Sequence, residues 1–369
     1  MKKKNIIFFL PNYDIGGAAQ SITNAVINLN PKKYNLFVFC LGKCAYKNKL
    51  INHKIKVCEI NKSKTIFSFN KIKNKILSIN KQTGLKSIFV SNINYANVLS
   101  LIFLTNIPNL KIVTVDRTPI QELDYNYNDL FLFCKNLLIK YLIKIFYKKA
   151  SARVGNSKTL SSDLSKVTRC KIHTIYPYSL KSIKPQKSKK IKKKKITTIL
   201  WIGRLSREKS LITLIKAINI INKEKLYIKI FGNGPEKKKY LNVIKNFNLT
   251  KKIKFFGYKS NIDKYLSNAD LYVSTSLYEG FQNSMIEAIN NNIPVISSSS
   301  YGGITDILKK NKFGHTYSVG DYKNLSILIK KFINNPKPFY KKSNLAKKNL
   351  KNFNFHVSTL KYEKIFDNI

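Results

Sequence analysis

Short apolar runs alternate with helix-like patterns along the first half of the chain. Residues 6–10 are typical of a buried strand, residues 12–17 of a loop, and residues 18–29 of a helix. The same kind of run predicts further strands at residues 35–41, 55–60, 87–90 and 111–115. Because strands alternate with helices, the pattern predicts βαβ units and a parallel sheet.

A lysine-rich stretch interrupts this pattern, which then starts again. Residues 179–195 carry many lysines and almost no apolar side chains, which is typical of a solvated linker between domains. A second strand–helix series begins at residues 197–202. Its further predicted strands are residues 227–231, 253–256, 271–274 and 294–297. The chain is therefore predicted to contain two α/β domains of similar architecture.

Residues 130–147 form a long amphipathic helical pattern. Its apolar residues recur at three- and four-residue spacing: Leu130, Cys134, Leu137, Leu138, Tyr141, Leu142 and Ile145. The remaining face is polar: Lys135, Asn136, Lys140, Lys144 and Lys148. Such a helix can cover a sheet, lie on a membrane surface, or do both.

Composition narrows the class of protein. The chain has 369 residues, of which 44% are hydrophobic and 12% aromatic, so it is too apolar for a disordered chain and long enough for two domains. Its 68 basic residues and 18 acidic residues give a formal charge of +50. This excess attracts phosphorylated substrates, an anionic membrane or nucleic acid, and charge alone does not choose among them.

The sequence also carries information on location. Five cysteines, an odd number, fit a reducing compartment. The N-terminal apolar run ends at Pro11, which is too early for the core of a signal peptide. No stretch approaches the roughly 18 uncharged apolar residues of a membrane-spanning helix. We therefore expect a cytoplasmic protein.

Candidate chemistry is concentrated in loops that follow predicted strands of the second half. These loops are residues 201–209, 231–236, 276–288 and 301–306. Ligands of open α/β sheets bind at the carboxyl ends of strands, so the loops are predicted to converge on one crevice. Arg204 and Lys209 flank a predicted helix start, whose free N–H groups already favour anions. Two cations at this point suit a diphosphate.

Two carboxylates follow in the third loop. Glu279 precedes a predicted helix and Glu287 lies within it, about 12 Å further along. This separation is too long for the acid pair of a glycosidase, but it suits contacts with two parts of one extended ligand. The sequence contains no Asp-x-Asp pair, and its cysteines do not have zinc-site spacing, so we expect no metal.

The motifs of these loops resemble those of the retaining glycosyltransferases of family 4, the group 1 glycosyl transferases. In order they are Gly-Arg-Leu…Lys from residue 203, Gly-x-Gly-Pro from 232, Glu-Gly-Phe…Glu-Ala from 279 and Pro-Val-Ile…Gly-Gly from 294. The Gly16-Gly17 loop is similar to the family's first strand–helix loop.

The resemblance implies the GT-B architecture, in which two Rossmann-like parallel-sheet domains face an interdomain cleft. The implied parts are an acceptor domain at 1–180, a linker at 181–196, a nucleotide-sugar domain at 197–350, and a C-terminal helix at 351–369 that crosses back to the first domain.

The resemblance also implies roles for single residues. Arg204 and Lys209 would hold the donor diphosphate, Glu287 would accept hydrogen bonds from the ribose, and Glu279 would face the donor sugar. Of these, Arg204, Lys209 and Glu279 form the implied catalytic group. The other implied donor-binding residues are Gly16, Gly17, Gly203, Gly232, Gly234, Pro235, Gly280, Phe281, Asn283 and Ser284.

The sequence departs from the family pattern in several places. Ser210, Gln282 and Asp306 stand where Gly, Pro and Glu are common. Asp116 and Arg117 occupy the N-terminal loop in which many members carry a His near the reacting sugar. These two residues are candidates for contact with the sugar or acceptor, and the alternative is that they form an ion pair within the loop.

The implied function is a glycosyltransferase of class EC 2.4, of the hexosyl or N-acetylhexosaminyl type. It would move sugar from a nucleotide diphosphate donor, with UDP as the expected nucleotide and GDP as the alternative, to a glycan or lipid-linked glycan, with retention and without a metal or other cofactor. Cell-surface polysaccharide or lipopolysaccharide synthesis at the inner face of the plasma membrane fits this activity. One alternative is a nucleotide-sugar 2-epimerase. A basic nucleic-acid-binding protein is suggested by charge alone, and we expect no nucleic-acid partner.

Overall fold

The computed structural model describes residues 3–125, 129–185, 196–221, 224–259 and 261–369. Within it the chain forms two compact units. The first contains the residues up to Lys181 together with Phe353–Ile369, and the second is Ser182–Asn352. Most of the predicted lysine-rich linker, residues 186–195, lies outside the described residues.

The first unit is built on a parallel sheet, in which the described strands have the order β3-β2-β1-β4-β5-β6-β7. These strands are β1 (Lys4–Phe9), β2 (Tyr34–Cys40), β3 (Lys56–Glu59), β4 (Ser87–Asn92), β5 (Leu110–Asp116), β6 (Ala152–Gly155) and β7 (His173–Thr174). The central strands β1 and β4 are buried along almost their whole length, as is usual in a parallel sheet with helices on both faces.

Helices connect these strands and complete the first unit. They are α1 (Gly17–Asn28), α2 (Lys47–Asn52), α3 (Phe69–Thr83), α4 (Asn94–Phe103), α5 (Leu130–Phe146) and α6 (Lys158–Thr168). The last helix of the chain also belongs to this unit. Its Tyr362 and Phe366 rings pack edge-on against Phe8 of β1, with centroids 6.2 and 6.4 Å away.

The second unit repeats the architecture. Its main sheet is parallel, with the order β10-β9-β8-β11-β13-β15 among the described residues, and β12 and β14 form a separate parallel pair. The strands are β8 (Thr197–Ile202), β9 (Leu226–Phe231), β10 (Ile253–Phe255), β11 (Leu271–Ser274), β12 (Tyr278–Glu279), β13 (Val295–Ser298), β14 (Tyr301–Gly302) and β15 (His315–Tyr317). The predicted α/β fold with two parallel-sheet units is therefore confirmed.

The order of the strands marks where each sheet is expected to bind a ligand. In the first sheet the order reverses between β1 and β4, and in the second between β8 and β11. Such a reversal opens a crevice at the carboxyl ends of the two strands. The remaining helices are α7 (Leu211–Ile220), α8 (Lys237–Asn246), α9 (Asp263–Leu266), α10 (Asn283–Asn290), α11 (Ile304–Leu308), α12 (Tyr322–Asn334), α13 (Lys337–Lys348) and α14 (Phe355–Asn368).

The residues at the centre of the apolar face predicted for helix α5 do not pack against the rest of the described structure. Asn136 and Ile143 are buried, whereas Leu137, Leu138 and Tyr141 of that face are 58%, 56% and 62% exposed. Of the alternatives for this helix, sheet cover therefore does not apply to these three side chains. The helix is apolar on several sides, so periodicity alone does not select the side that packs. A wide apolar face of α5 is left uncovered by the described residues.

Candidate functional site

The crevice between β8 and β11 brings together two predicted residues that are far apart in sequence. Lys209 ends a short 3₁₀ turn after β8, and Glu279 lies on β12. Lys209 Nζ lies 2.5 Å from Glu279 Oε1. The same oxygen accepts a hydrogen bond of 2.8 Å from Ser276 Oγ. A buried carboxylate and a partly exposed ammonium group therefore meet at the topological switch point of the second sheet.

Hydrogen bonds between the two loops hold Lys209 in place. Thr275 Oγ1 donates to the backbone oxygen of Lys209 at 2.7 Å, and Trp201 Nε1 donates to Thr275 Oγ1 at 2.9 Å. The backbone N–H of Leu277 donates to the oxygen of Glu208 at 2.7 Å. Sequence reasoning missed Thr275 and assigned no role to Ser276, the first residue of the third predicted loop, although polar residues directly after a buried strand were an available signal.

Arg204 supplies a second positive charge in the loop after β8. Its side chain is exposed, and within the described part of the chain it makes no hydrogen bond or ion pair. An exposed guanidinium without a protein partner is available to a ligand, and its planar fork matches phosphate oxygens. Of the two predicted cations, one is therefore paired with a carboxylate and the other is open to solvent.

Two glycines of the next loop fit closely against the Arg204 loop. Gly232 has φ 130°, a conformation that favours glycine, and a Cβ at that position would overlap the backbone oxygen of Gly203. A Cβ at Gly234 would overlap the oxygen of Leu205. The backbone N–H of Leu205 donates to the oxygen of Asn233 at 2.9 Å. These glycines therefore brace the cation-bearing loop, whatever contact they make with a donor.

A second pair of glycines braces the Glu279 loop. Gly302 of β14 has φ 115°, and a Cβ there would overlap the backbone oxygen of Glu279. At Gly303, a Cβ would lie 2.6 Å from the oxygen of Gly280. The backbone N–H of Gly303 donates to the oxygens of Glu279 and Gly280, at 3.1 Å each. The fourth predicted loop thus determines the position of the third.

Helix α10 carries Glu287 about two turns beyond the Glu279 loop. Burial raises the pKa of the Glu287 carboxyl to about 7; the nearby Asp263 adds to the rise and Lys184 opposes it. Its carboxylate accepts no hydrogen bond from the described residues. Gln282, which precedes α10, is buried, and its amide donates to Ser274 Oγ at 2.8 Å. Gln282 therefore attaches the start of α10 to the end of β11.

The other implied donor-binding residues lie around these loops. Pro235 follows the Gly232 loop, Phe281 is buried beside Gly303, and Asn283 begins α10. The hydroxyl of Ser284 lies 2.8 Å from that of Tyr272. Their contacts with a donor stay predictions.

In the first unit, Gly16 and Gly17 lie at the start of α1, directly after the β1 loop. A Cβ at Gly16 would meet no heavy atom of the described residues within 4 Å, so there is space beside it. Their predicted contact with a donor likewise stays a prediction.

Asp116, at the end of β5, is fully buried. Its Oδ1 accepts hydrogen bonds from Tyr147 Oη at 2.7 Å and from Asn97 Nδ2 at 3.3 Å. Burial raises the pKa of this carboxyl to about 7, and the two hydrogen bonds oppose the rise. Through these hydrogen bonds, Asp116 connects the end of β5 to α4 and to the residue that follows α5. Sequence reasoning missed Asn97 and Tyr147, which lie 19 residues before and 31 residues after it.

Arg117 does not pair with Asp116. Its Nε donates to Asn92 Oδ1 at 2.9 Å, and no carboxylate among the described residues forms a salt bridge with it. The alternative of an ion pair within this loop is therefore wrong. The reason is geometric: neighbouring residues at a strand end point to opposite sides of the sheet.

Metal ligands and membrane spans are not found in the described part of the chain. It contains no group of three or more His, Cys, Asp and Glu side chains that could hold a metal ion. None of its helices is long and apolar enough to cross a membrane.

Comparisons with known proteins agree with this fold. Residues 182–353 match the model of the family described as "Glycosyl transferases group 1". The N-acetylgalactosamine-N,N'-diacetylbacillosaminyl-diphospho-undecaprenol 4-alpha-N-acetylgalactosaminyltransferase of Campylobacter jejuni is 25% identical over 319 residues, which are 82% of this chain and 83% of that protein.

Solved structures extend the likeness to the whole chain. Anabaena Alr3699/HepE in complex with UDP-glucose has a TM-score of 0.80 at 17% identity, over 99% of this chain and 100% of that one. Sucrose-phosphate synthase from Thermosynechococcus elongatus has a TM-score of 0.82 at 14% identity, over 99% of each chain.

The fold is therefore that of the GT-B glycosyltransferases. The C-terminal unit therefore matches a glycosyltransferase family model, and the relative from Campylobacter extends the sequence similarity over 82% of this chain.

Proposed function

We propose that this protein transfers a sugar from a UDP-sugar to a hydroxyl group of a glycan or lipid-linked glycan, with retention and without a metal ion. The observation that carries this proposal is the Lys209–Glu279 pair at the switch point of the second sheet, together with the solvent-exposed Arg204 in the same loop as Lys209. The relative from Campylobacter is named for a diphospho-undecaprenol acceptor, and the Anabaena structure is named for UDP-glucose. Both names support the proposed substrates.

Arg204 and Lys209 are proposed to stabilise the diphosphate as it leaves. Breaking the bond between sugar and phosphate builds negative charge on the leaving group, and fixed cations lower the energy of that state. Two such cations can do the work that other enzymes assign to a divalent metal. Glu279 neutralises Lys209 while no donor is bound, and its second oxygen is free of the Lys209 and Ser276 contacts, which use Oε1. We assign it to a hydroxyl of the donor sugar.

The proposed function is tested by incubating the protein with UDP-glucose and UDP-N-acetylglucosamine, with and without acceptor glycans, and separating the products. Sugar transferred to an acceptor supports it. An epimerase would instead change the nucleotide sugar in the absence of any acceptor, and that product would contradict the proposal. Retention is read from the anomeric coupling constant of the product.

Glu287 is proposed to accept hydrogen bonds from the ribose hydroxyls, which predicts a specific pH dependence. The carboxyl accepts both hydroxyl protons only when it is ionised, and its pKa of about 7 places that change near neutrality. Affinity for UDP-glucose should therefore rise with pH from 6 to 8 and fall by up to about tenfold for each unit below 7. UDP-glucose is the suitable ligand because it has no phosphate proton to lose in this range.

Calorimetry on the Glu287→Gln variant provides the control. The variant should bind UDP-glucose more weakly than the native protein at pH 8, with an affinity that does not change with pH. If both proteins show the same pH slope, Glu287 does not contact the ribose.

Helix α5 supports a proposal that the protein associates peripherally with an anionic membrane surface. Leu130 and Phe131 are 76% and 79% exposed, and they continue the uncovered apolar face of this helix. Lys135 and Lys144 of the same helix are also exposed and would contact anionic headgroups.

Replacing Leu137 and Leu138 together by serine should lower binding to vesicles that contain phosphatidylglycerol by about tenfold or more, because two leucines no longer enter the lipid. Flotation in a density gradient measures this binding. The matched control replaces Ile327 and Leu360, which are 50% and 52% exposed on other helices, by serine. Equal loss of binding in both double variants would contradict a role for α5.

A further inference from the structure

The carboxyl edge of the first sheet holds a positive charge that the described residues do not neutralise. Arg117 follows β5, and its Nε donates to Asn92 Oδ1 at 2.9 Å. Its two terminal nitrogens donate to no acceptor in the described ranges. Burial lowers the pKa of this guanidinium. A partly buried cation of this kind usually pairs with an anion, because desolvation is otherwise unopposed.

The nearby ionisable groups within the described ranges do not supply that anion. The neighbouring carboxylate, Asp116, is held on the other side of the strand by Tyr147 and Asn97. The other groups whose charge would act on Arg117 are the phenols of Tyr13 and Tyr362. Burial raises the pKa of both phenols above the ordinary value, so both are neutral at pH 7. Among the described residues, the guanidinium is therefore uncompensated.

The contacts of Arg117 fix its position. Asn92 Nδ2 donates to the backbone oxygens of Phe9 and Val90, at 3.1 Å each, and this orients Asn92 Oδ1 toward the guanidinium. Asn156 Nδ2 donates to the backbone oxygen of Arg117 at 2.8 Å. The residue is thus held from the carboxyl ends of β4, β5 and β6. A cation fixed in this way loses little conformational entropy when it binds a ligand.

Asn156, which holds the backbone of Arg117, also has a polar atom without a partner in the described part of the chain. Asn156 is buried, and its Oδ1 accepts no hydrogen bond from the described residues. Such an oxygen can accept a hydrogen bond from a hydroxyl group. A guanidinium together with a free amide oxygen suits a ligand that carries an oxyanion and hydroxyl groups in one molecule, which is the chemistry of an acidic sugar.

We propose that Arg117 binds the oxyanion of an acidic acceptor, either the carboxylate of a uronic acid or a sugar-linked phosphate. This inference rests on the proposed function, which assigns the donor diphosphate to the other unit and leaves the first unit for the acceptor. Arg117 is then a specificity-determining residue: its fork binds two oxygens of a carboxylate or phosphate at once. A neutral acceptor would leave the guanidinium desolvated and unpaired.

The test measures the rate at which phenylglyoxal modifies individual arginines, which peptide mass spectrometry distinguishes. D-Glucuronate and inorganic phosphate are the two probes, each added at saturating concentration to the full chain. Either anion that binds should slow modification of Arg117 by about tenfold through mass action. The rate at Arg169, an exposed arginine of the same unit, should not change. Protection by one probe alone identifies the class of acceptor oxyanion, carboxylate or phosphate.

Two variants of Arg117, together with one control variant, test the assignment without the chemical label. Glucuronate or phosphate should raise the melting temperature of the native protein and, equally, of Lys111→Gln, which removes an exposed charge from the same strand. The increase should be clearly smaller in Arg117→Gln and intermediate in Arg117→Lys. An increase of the same size in Arg117→Gln would overturn the inference. UDP-glucose affinity should be the same in all four proteins.

The outcomes separate this inference from the proposed function. Equal modification rates at Arg117 with and without both anions would overturn the inference, as would an Arg117 that the reagent cannot reach in the free protein. Absence of UDP-glucose binding in the native protein would instead contradict the proposed donor site. The protection of Arg117 by an anion would still test the inference about Arg117.

Discussion

Replacement of Lys209 by alanine is expected to lower kcat/KM for sugar transfer by about two to three orders of magnitude. The side chain supplies one of two cations for the leaving diphosphate, and its position is fixed by the 2.5 Å contact with Glu279. Loss of the ammonium group also leaves the buried Glu279 carboxylate without its counterion, although Ser276 still donates to it. The melting temperature should therefore decrease as well. Transfer is measured with a radiolabelled UDP-sugar, and stability by thermal unfolding.

A double variant separates these two effects. Adding Glu279→Gln to Lys209→Ala removes the unpaired carboxylate and should restore part of the melting temperature, whereas transfer should stay low. Lys238→Ala serves as the matched control, because Lys238 is an exposed lysine of α8 outside the proposed site. Full transfer activity in Lys209→Ala would reject the diphosphate assignment.

Replacement of Gly302 by alanine is expected to destabilise the second unit by about 3 kcal/mol or more. The residue has φ 115°, and the new Cβ would overlap the backbone oxygen of Glu279. The β12–β14 pair must separate to relieve this overlap, and Glu279 moves with it. Activity should therefore fall together with stability. Urea unfolding gives the free energy of unfolding, and limited proteolysis detects local opening if the variant does not fold cooperatively.

Gly42→Ala is the control for a glycine substitution as such. Gly42 is exposed and lies outside the left-handed region, and a Cβ there meets no heavy atom of the described residues within 4 Å. Its free energy of unfolding should change by no more than about 0.5 kcal/mol. A comparable decrease in the free energy of unfolding of both variants would show that the close approach of Gly302 to Glu279 is not the cause of the destabilisation.

The sheets could be predicted because their strands are local, strongly apolar segments. The runs at 6–10 and 197–202 correspond to β1 and β8, which are central in their sheets. β1 is buried along almost its whole length, and β8 is buried at its middle residues. Short strands such as β12 and β14 were missed, since two residues carry no periodicity. They form because a glycine allows their backbones to approach, which is a contact between segments.

The sequence predicted which loops form the candidate site, but it did not predict which side chains of those loops contact each other. Arg204 and Lys209 were expected to act alike, yet the structure pairs Lys209 with a carboxylate and leaves Arg204 without a partner among the described residues. Asp116 and Arg117 were treated as equivalent candidates. The structure separates them. Asp116 is buried and hydrogen-bonded to Tyr147, whereas the two terminal nitrogens of Arg117 have no acceptor among the described residues.

By itself, the sequence determined the two strand–helix series, the polar and glycine-bearing loops at the strand ends, and the excess of positive charge, because each depends on residues close together along the chain. The tertiary structure alone decided which side of α5 is covered, which cation meets Glu279, and that Arg117 has no carboxylate partner in the described part of the chain. These features depend on contacts between residues many positions apart in the chain. The free energies of such contacts cannot be read from a local sequence pattern.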